Sequence, residues 1–384
     1  MLIVLGNSSL AHYPQGGGHW VVRLQYLLGL RALHHQVTLL ELLWSTGDTN
    51  RDEELIGSFF SRMNHYGLTD NCILLLFDKG SDEQDLERAH AYGRSMRETR
   101  EIIKSADLLW NDCCGIREPL LGMFRYRVLV DLDPGHLQVS ALTVDLDLHS
   151  HQAFLTVGKK LHDTDCEVLT LGFKWHTFFP FVYLPMWELR PDPGQEAPFS
   201  SVTHWTWGEL WLQDRVLSIS KRDAYLRYLE LPQRVRRPFE LAANIDDPKD
   251  VIGDRELFER HGWKLVDPWE VARSPLAYQT YIARSRAEIS CPKPVFKELK
   301  TGWFSDRSAC YLASGRPVLA ENTGFSDYLP TGNGLVTFHN LSEAIAGVTE
   351  IDSNYQHHVG AARRLAEEFL DSQRCLKTML AACG

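Results

Sequence analysis

The chain has 384 residues, too many for one ordinary hydrophobic core, so two domains of roughly 150 to 200 residues each are expected. Hydrophobic residues make up 44% and charged residues 23%, the balance of a folded globular protein, which excludes wholesale disorder. A formal charge of −10 repels a polyanion and so excludes nucleic acid as an expected partner, while leaving room for a local basic cleft that holds a small phosphate ligand. The eight cysteines are scattered without a C-x-x-C pair, as expected of free thiols in a reducing cytoplasm. The opening "MLIVLGNSS" lacks a positive n-region and reads as a first strand rather than a leader. No window reaches the roughly 18 apolar residues of a membrane span.

Leu2 to Leu5 is a short apolar run ending at Gly6, the pattern of a buried parallel strand. A polar loop with Gly16, Gly17 and Gly18 follows, then a helix from about His19 to Leu33 with Val22, Tyr26, Leu30 and Leu33 on one face, and a strand from Val37 to Leu40. The unit repeats, which argues for a doubly wound sheet. Asn71–Phe77 is a strand, Asp82–Ala106 a long amphipathic helix, Asp107–Asp112 a strand end, Arg127–Gly135 another strand and Ala153–Leu161 a further one. Sheets of this kind carry their functional loops at the carboxyl ends of the strands.

Between Trp175 and Pro198 the chain is rich in proline and aromatics with no helical period, which reads as a crossing between domains. A second series begins after it. Pro238–Ile245 and Gly262–Pro268 are strands, Ser274–Ser285 a helix and Ala287–Lys293 a strand; a helix over Ser305–Ser314, the strand Arg316–Ala320 and helices from Leu341 complete it. The last segment is two helical stretches that break near Asp371 and Ser372. The expected architecture is α/β: two Rossmann-like doubly wound domains, residues 1–185 and 186–365, with residues 366–384 as a terminal helix crossing back to the first.

The segment from Arg286 to Val348 resembles the nucleotide-sugar half of GT-B glycosyltransferases. Its matching pieces are Ala313, Gly315, Pro317 and Val318, then Gly324, then Gly332, Gly334, Leu335 and Val336, in the family's order. The first half resembles the acceptor half of inverting members, in which a G-H loop opens the first helix and V-T begins the next strand; His19, Val37 and Thr38 have that spacing. The resemblance implies two domains facing each other across a cleft. It also implies a metal-independent hexosyl transfer from UDP-sugar or another nucleoside-diphosphate sugar to an acceptor held mainly by the first domain. Beyond that co-substrate no cofactor is implied.

Such a transfer needs a seat for the diphosphate and, for inversion, a base that takes the acceptor proton. Free N–H groups at a helix start favour an anion. "GWFSDRSA" supplies such a start: Gly302, Trp303 and Phe304 lead into Ser305 as N-cap, with Asp306, Arg307 and Ser308 in the first turn, and Lys293, Lys297 and Lys300 ahead of it. Retaining members carry two glutamates around this turn, and here their places fall on Gly302 and Cys310. Asp306 and Asp327 are then the candidates for contacts to sugar and ribose, and the retaining mechanism is not copied simply.

His19 as base needs an orienting carboxylate, because a neutral imidazole must present its acceptor nitrogen to the incoming hydroxyl. Asp112 is the best positional match, with Asp131 and Asp133 as rivals; the alternative is a His19 that starts the helix without moving a proton. The histidine pairs lack a third ligand at useful spacing, so no metal site is expected there. The acidic "DLDPGH" and "DLDLHS" would suit a divalent cation, but a turn after a strand explains those aspartates as well, and the resemblance implies a family without an essential metal. Trp205, Trp207 and Trp211 either stack on a base or sugar or pack between elements. Two rival functions stay open: epimerisation of a nucleotide sugar on the same fold, and nucleotide-sugar binding without turnover.

Overall fold

A computed structural model describes residues 1–81, 83–245 and 252–383 of the chain. The first sheet is built from β1 (Leu2–Asn7), β2 (Gln36–Trp44), β3 (Cys72–Phe77), β4 (His90–Tyr92), β5 (Leu108–Asp112), β6 (Arg127–Asp131), β7 (Ala153–Thr156) and β8 (Trp175–Thr177). Their spatial order is β4-β3-β2-β1-β5-β6-β7-β8, parallel except for β4. Ile3, Val4 and Leu5 are all buried because both faces of a parallel sheet are covered. The second sheet contains β9 (Phe199–Thr203), β12 (Phe239–Ala243), β13 (Trp263–Val266), β14 (Ala287–Ser290), β15 (Val318–Glu321) and β16 (Leu335–Phe338), in the order β13-β12-β9-β14-β15-β16. A hairpin, β10 (Glu209–Leu212) with β11 (Arg215–Ser218), is inserted after β9. Both sheets are the doubly wound α/β layers that the sequence pattern leads one to expect.

The differences are local. The long helix expected over residues 82–106 is a helix only at Met96–Ser105; Asp82 lies outside the described residues, and His90–Tyr92 pairs antiparallel with β3. The physical reason is the capping box: Ser95 accepts from the Glu98 backbone N–H and Glu98 reaches back to Ser95, which starts the helix late. β7 stops at Thr156, and the expected remainder of that strand, residues 157–161, turns out of the sheet toward the second domain. Trp175–Thr177, read as part of the crossing, is the last strand of the first sheet.

The helix Gly17–Ala32 lies between the two domains. Trp20, Leu24 and Leu27 pack into the core of the first sheet, Val21 packs with a second-domain cluster, and Gln25 accepts a hydrogen bond from Trp187 Nε1 at 2.8 Å. Its buried face is therefore wider than the stripe through Val22 and Leu33, which are only partly buried. The chain crosses back where Val182 bonds Leu370 and Ser372, and the helix Ser372–Ala381 then packs on the first helix, with Leu376 against Gly29. Leu376 is fully buried, so truncation to alanine removes about 2–5 kcal/mol of stability. Val295, Phe296, Leu299 and Trp303 of the second domain join the hydrophobic cluster of the first sheet, which makes the two cores continuous.

Candidate active-site cleft

In the first sheet the strand order turns between β1 and β5, and in the second between β9 and β14. Loops leaving neighbouring strands at such a point diverge and open a crevice. The loop after β1 leads to His19 and that after β5 begins at Asp112; the loop after β9 leads to Lys221 and that after β14 to Lys293. The two crevices meet, because Lys293 Nζ forms an ion pair with Asp133 of the first domain at 2.7 Å.

The glycine run packs more tightly than an open substrate loop. Gly17 N–H donates to Ala272 O at 2.6 Å, and a Cβ on Gly17 would strike that oxygen and approach Ser274 O to 2.5 Å. Gly18 faces the Tyr278 ring and Gly16 rests on the Tyr13 backbone. Close approach of the second domain, not of substrate, is what excludes a side chain at Gly17.

Directly after the glycine run, His19 is exposed to the cleft and, among the described residues, makes no hydrogen bond; its ring stacks on Tyr13 with centroids 6.4 Å apart. Its pKa is lowered first by the crowding of the cleft walls and then by Arg23, with Asp306 and Asp133 pulling the other way. The imidazole is therefore neutral at pH 7. Arg23, one turn further along the same helix face, donates from Nε to Asn7 Oδ1 at 3.1 Å and forms an ion pair with Asp112. The Cys113 thiol also bonds the Asp112 carboxylate, whose pKa burial raises despite Arg23. The expected His19–Asp112 hydrogen bond is thus not formed, since Arg23 claims that carboxylate. Asp131 stays in the core, where it accepts from Gln138 Nε2 at 3.0 Å and Thr156 Oγ1 at 2.8 Å and burial pushes its pKa up to about 6. Asp133 reaches the cleft; burial alone would raise its pKa, but Lys293 holds the carboxyl below its ordinary value.

The donor-side turn is corrected in a similar way. Arg307 is buried: its Nε bonds Glu288, Nη1 donates to Val202 O at 2.7 Å and Nη2 to Ser290 Oγ at 3.1 Å. Its guanidinium ties the helix Asp306–Ala313 to β9 and β14 instead of presenting itself to a phosphate. Ser308 Oγ points to Ser290 at 3.3 Å, and Ser305 stands at the N-cap without a side-chain cap bond. Trp303 packs on Phe296 and donates to Leu132 O at 3.2 Å, while Phe304 packs on Phe325. Gly302 and Gly324 are both covered by Lys160 of the first domain, which also pairs with Asp327 at 2.8 Å. Asp306, half-buried, remains in the cleft, close enough for His19 to feel its charge.

Among the described residues the cleft holds a lysine without an ion-pair partner, Lys221, which the sequence pattern did not single out. Lys221 opens the short helix after the β10–β11 hairpin, behind a loop held by Ser220 Oγ, which accepts from Trp207 and Gly208 N–H at 3.0 Å each. Its Nζ stands 5.5 Å from the centre of the Trp303 ring and, among the described residues, has no hydrogen bond or ion-pair partner. Its pKa falls to about 7, first through burial and then through the charges of Arg307 and Lys293, against the weaker pull of Glu288 and Asp306. An anion placed between Lys221 and Lys293 relieves that repulsion. The signal available in the sequence was a lysine at a strand-to-helix junction, masked by the hairpin between β9 and that junction. Arg23 had a plainer signal, one helical turn from His19. Of the three tryptophans, Trp205 is buried and donates to Asp254 at 2.9 Å, whereas Trp207 and Trp211 are exposed. Among the described residues no group of three or more His, Cys, Asp or Glu side chains is arranged to hold a metal ion, and no helix is long and apolar enough to cross a membrane.

No family model and no curated protein matches the sequence. Solved structures do match over the whole chain. Anabaena HepE in complex with UDP superposes with a TM-score of 0.56 at 11% identity, covering 100% of both chains. An alpha-glucosyltransferase in complex with UDP-glucose and DNA containing an abasic site gives 0.60 at 11% identity over 100% of this chain and 99% of that one. Sucrose-phosphate synthase from Thermosynechococcus elongatus gives 0.52 at 9% identity over 98% and 97%. The protein shares their GT-B fold, two Rossmann-like domains across a cleft.

Proposed function

We propose that the protein is a glycosyltransferase that moves a hexosyl group from a nucleoside-diphosphate sugar, with UDP-sugars the first candidates, to an acceptor hydroxyl in the first-domain half of the cleft. The observation that carries this reading is Lys221: it stands at the crevice of the donor sheet without a hydrogen bond or ion-pair partner among the described residues, and burial first, then the charges of Arg307 and Lys293, lowers its pKa. The UDP and UDP-glucose bound by the structural neighbours support the choice of ligand. In this reading Lys221 and Lys293 take the diphosphate. As the bond from the anomeric carbon to the phosphate oxygen breaks, its electron pair leaves on the diphosphate, where the two ammonium groups stabilise it.

The acceptor oxygen attacks the anomeric carbon from the opposite face and loses its proton to the neutral ring of His19, which gives inversion. Asp306 and Asp133 are the carboxylates His19 feels, and they replace Asp112 as the groups that would stabilise the imidazolium. No metal takes part in this scheme, and the −10 charge argues for a small or neutral acceptor over a nucleic acid.

The test is incubation with a panel of nucleotide sugars, following nucleoside diphosphate release and product anomer by proton NMR. Release that rises with an added acceptor and an inverted product supports the proposal. An isomerised donor without release would identify an epimerase, and binding without turnover a non-catalytic protein. His19→Ala is expected to lower kcat by about 10²–10⁴-fold with little change in nucleotide affinity. Because the His19 pKa lies below its ordinary 6.5, the acid limb of wild-type kcat lies beneath that value. An acid limb centred above 6.5, or full activity in His19→Ala, removes His19 from the role of base.

A further inference from the structure

The loop that leaves β7 runs into the second domain and is bonded there along its length. Lys160 N–H donates to Thr301 O at 3.1 Å, Glu167 N–H to Leu299 O at 3.0 Å, and Tyr328 hydroxyl to Asp163. Lys160 is the centre of this contact. Only 8% of it is exposed, its Nζ lies 2.8 Å from Asp327 and 3.1 Å from Asp165, and its stem crosses two glycines of the donor-side turns.

Gly302 has φ +67 and Gly324 φ +100, a region that L side chains rarely adopt. A Cβ on Gly302 would come within 2.8 Å of Lys160 Cγ and of its backbone nitrogen, and one on Gly324 would strike Lys160 Cδ. The two turns thus form a groove without side chains, and a lysine of the opposite domain fills it. Gly302 lies just ahead of Asp306, the donor-side charge felt by His19, and Asp327 lies one turn after Gly324.

We infer that Lys160 is a positioning residue: its stem in the Gly302–Gly324 groove and its ammonium on Asp327 set the distance between the donor-side turns and His19, and releasing it opens the cleft. The consequence for transfer rests on the proposed function; the consequence for cleft width does not. The diphosphate seat at Lys221 and Lys293 is carried mainly by the second domain, so nucleotide binding is retained when the latch is lost.

The experiment compares wild type, Lys160→Ala, Lys160→Met, Gly324→Ala and the Lys160→Ala/Gly324→Ala double variant by small-angle scattering, UDP calorimetry and turnover of UDP-glucose. Loss of Lys160 is expected to raise the radius of gyration, to leave UDP affinity within threefold and to lower kcat at least tenfold. Lys160→Met keeps the stem without the charge; it is expected to be intermediate and serves if the alanine variant does not fold. Gly324→Ala carries backbone strain at φ +100 in either background, but it is expected to raise the radius of gyration of wild type and to add little to that of Lys160→Ala, because the clash partner is already gone. Unchanged scattering and kcat in folded Lys160 variants, or additive effects of the two substitutions, would overturn the inference. If wild type binds no UDP and turns over no nucleotide sugar, the proposed function fails while the scattering arm still decides the latch.

Discussion

Two segments of the second domain carry cations toward the same crevice, and the fold treats them oppositely. In the turn Gly302–Ser308, Arg307 is buried against Glu288, Val202 O and Ser290 and has become a structural tie. In the loop between β9 and the helix Lys221–Leu226, Lys221 is left with an aromatic neighbour and, among the described residues, no ion-pair partner; Glu288 and Asp306 act on it only from a distance. The turn looks more like an anion site in sequence, and the loop is more like one in space. What separates them is where the carboxylates of the sheet fall. Glu288 on β14 lies beneath Arg307, while the cleft carboxylate that could have served Lys221, Asp133, is paired with Lys293.

The contrast breaks most sharply at Arg307. Replacing it with methionine strands Glu288, buried with a 0% exposed side chain, so about 3–5 kcal/mol of unfolding free energy is expected to vanish in urea titrations. Nucleotide affinity of the folded fraction should be nearly kept. A stable Arg307→Met protein that no longer binds UDP would reverse the assignment of the two segments.

Lys221→Met tests the other side. Loss of a hydrogen bond between charged groups is worth about 1.5–3 kcal/mol, so UDP affinity by calorimetry should fall roughly 10–100-fold. Stability without ligand should not fall, since the substitution removes repulsion from Arg307 and Lys293. Unchanged affinity would leave the crevice without its phosphate seat.

A smaller and sharper effect comes from pH. The Lys221 pKa is about 7 in the folded protein against an ordinary 10.5, so between these values the unfolded chain binds the extra proton. The contribution of this group to stability therefore rises with pH through that window. Nucleotide binding needs the charged form and runs the other way: above pH 7 affinity should fall by up to about tenfold per pH unit, with proton uptake on binding, until the pKa of the bound state is reached. Both slopes should disappear in Lys221→Met. A UDP affinity that is flat from pH 7 to 9 in wild type would contradict the depressed lysine.

Much of this protein was legible in order along the chain. Short apolar runs such as Leu2–Leu5 and Arg316–Ala320 mark parallel strands because both faces are covered, and the break at Asp371 and Ser372 is visible as an Asp N-cap between two helical stretches. The positions of His19 at the start of the helix after β1 and of Lys293 just past β14 followed from the same pattern. The fate of each polar side chain did not. The spacing that nominated Asp112 as partner of His19 holds no information about Arg23, whose side chain reaches across the crevice to it. Gly16 to Gly18, Gly302 and Gly324 stand out in the sequence as residues without side chains in expected loops, but whether a phosphate or a protein atom approaches them depends on a second domain far away in the chain.

By itself, then, the sequence determined the two doubly wound layers and the strand ends from which a cleft would be built, because hydrophobic period and capping are local properties of a few consecutive residues. Only the tertiary structure decided that Arg307 is a tie, Lys221 a lysine without an ion-pair partner among the described residues, Gly17 a domain contact and Lys160 the filler of a glycine groove. The reason is that charge pairing and close packing are settled between residues far apart in the chain, 167 positions in the Lys160–Asp327 pair, and no local pattern encodes such partners.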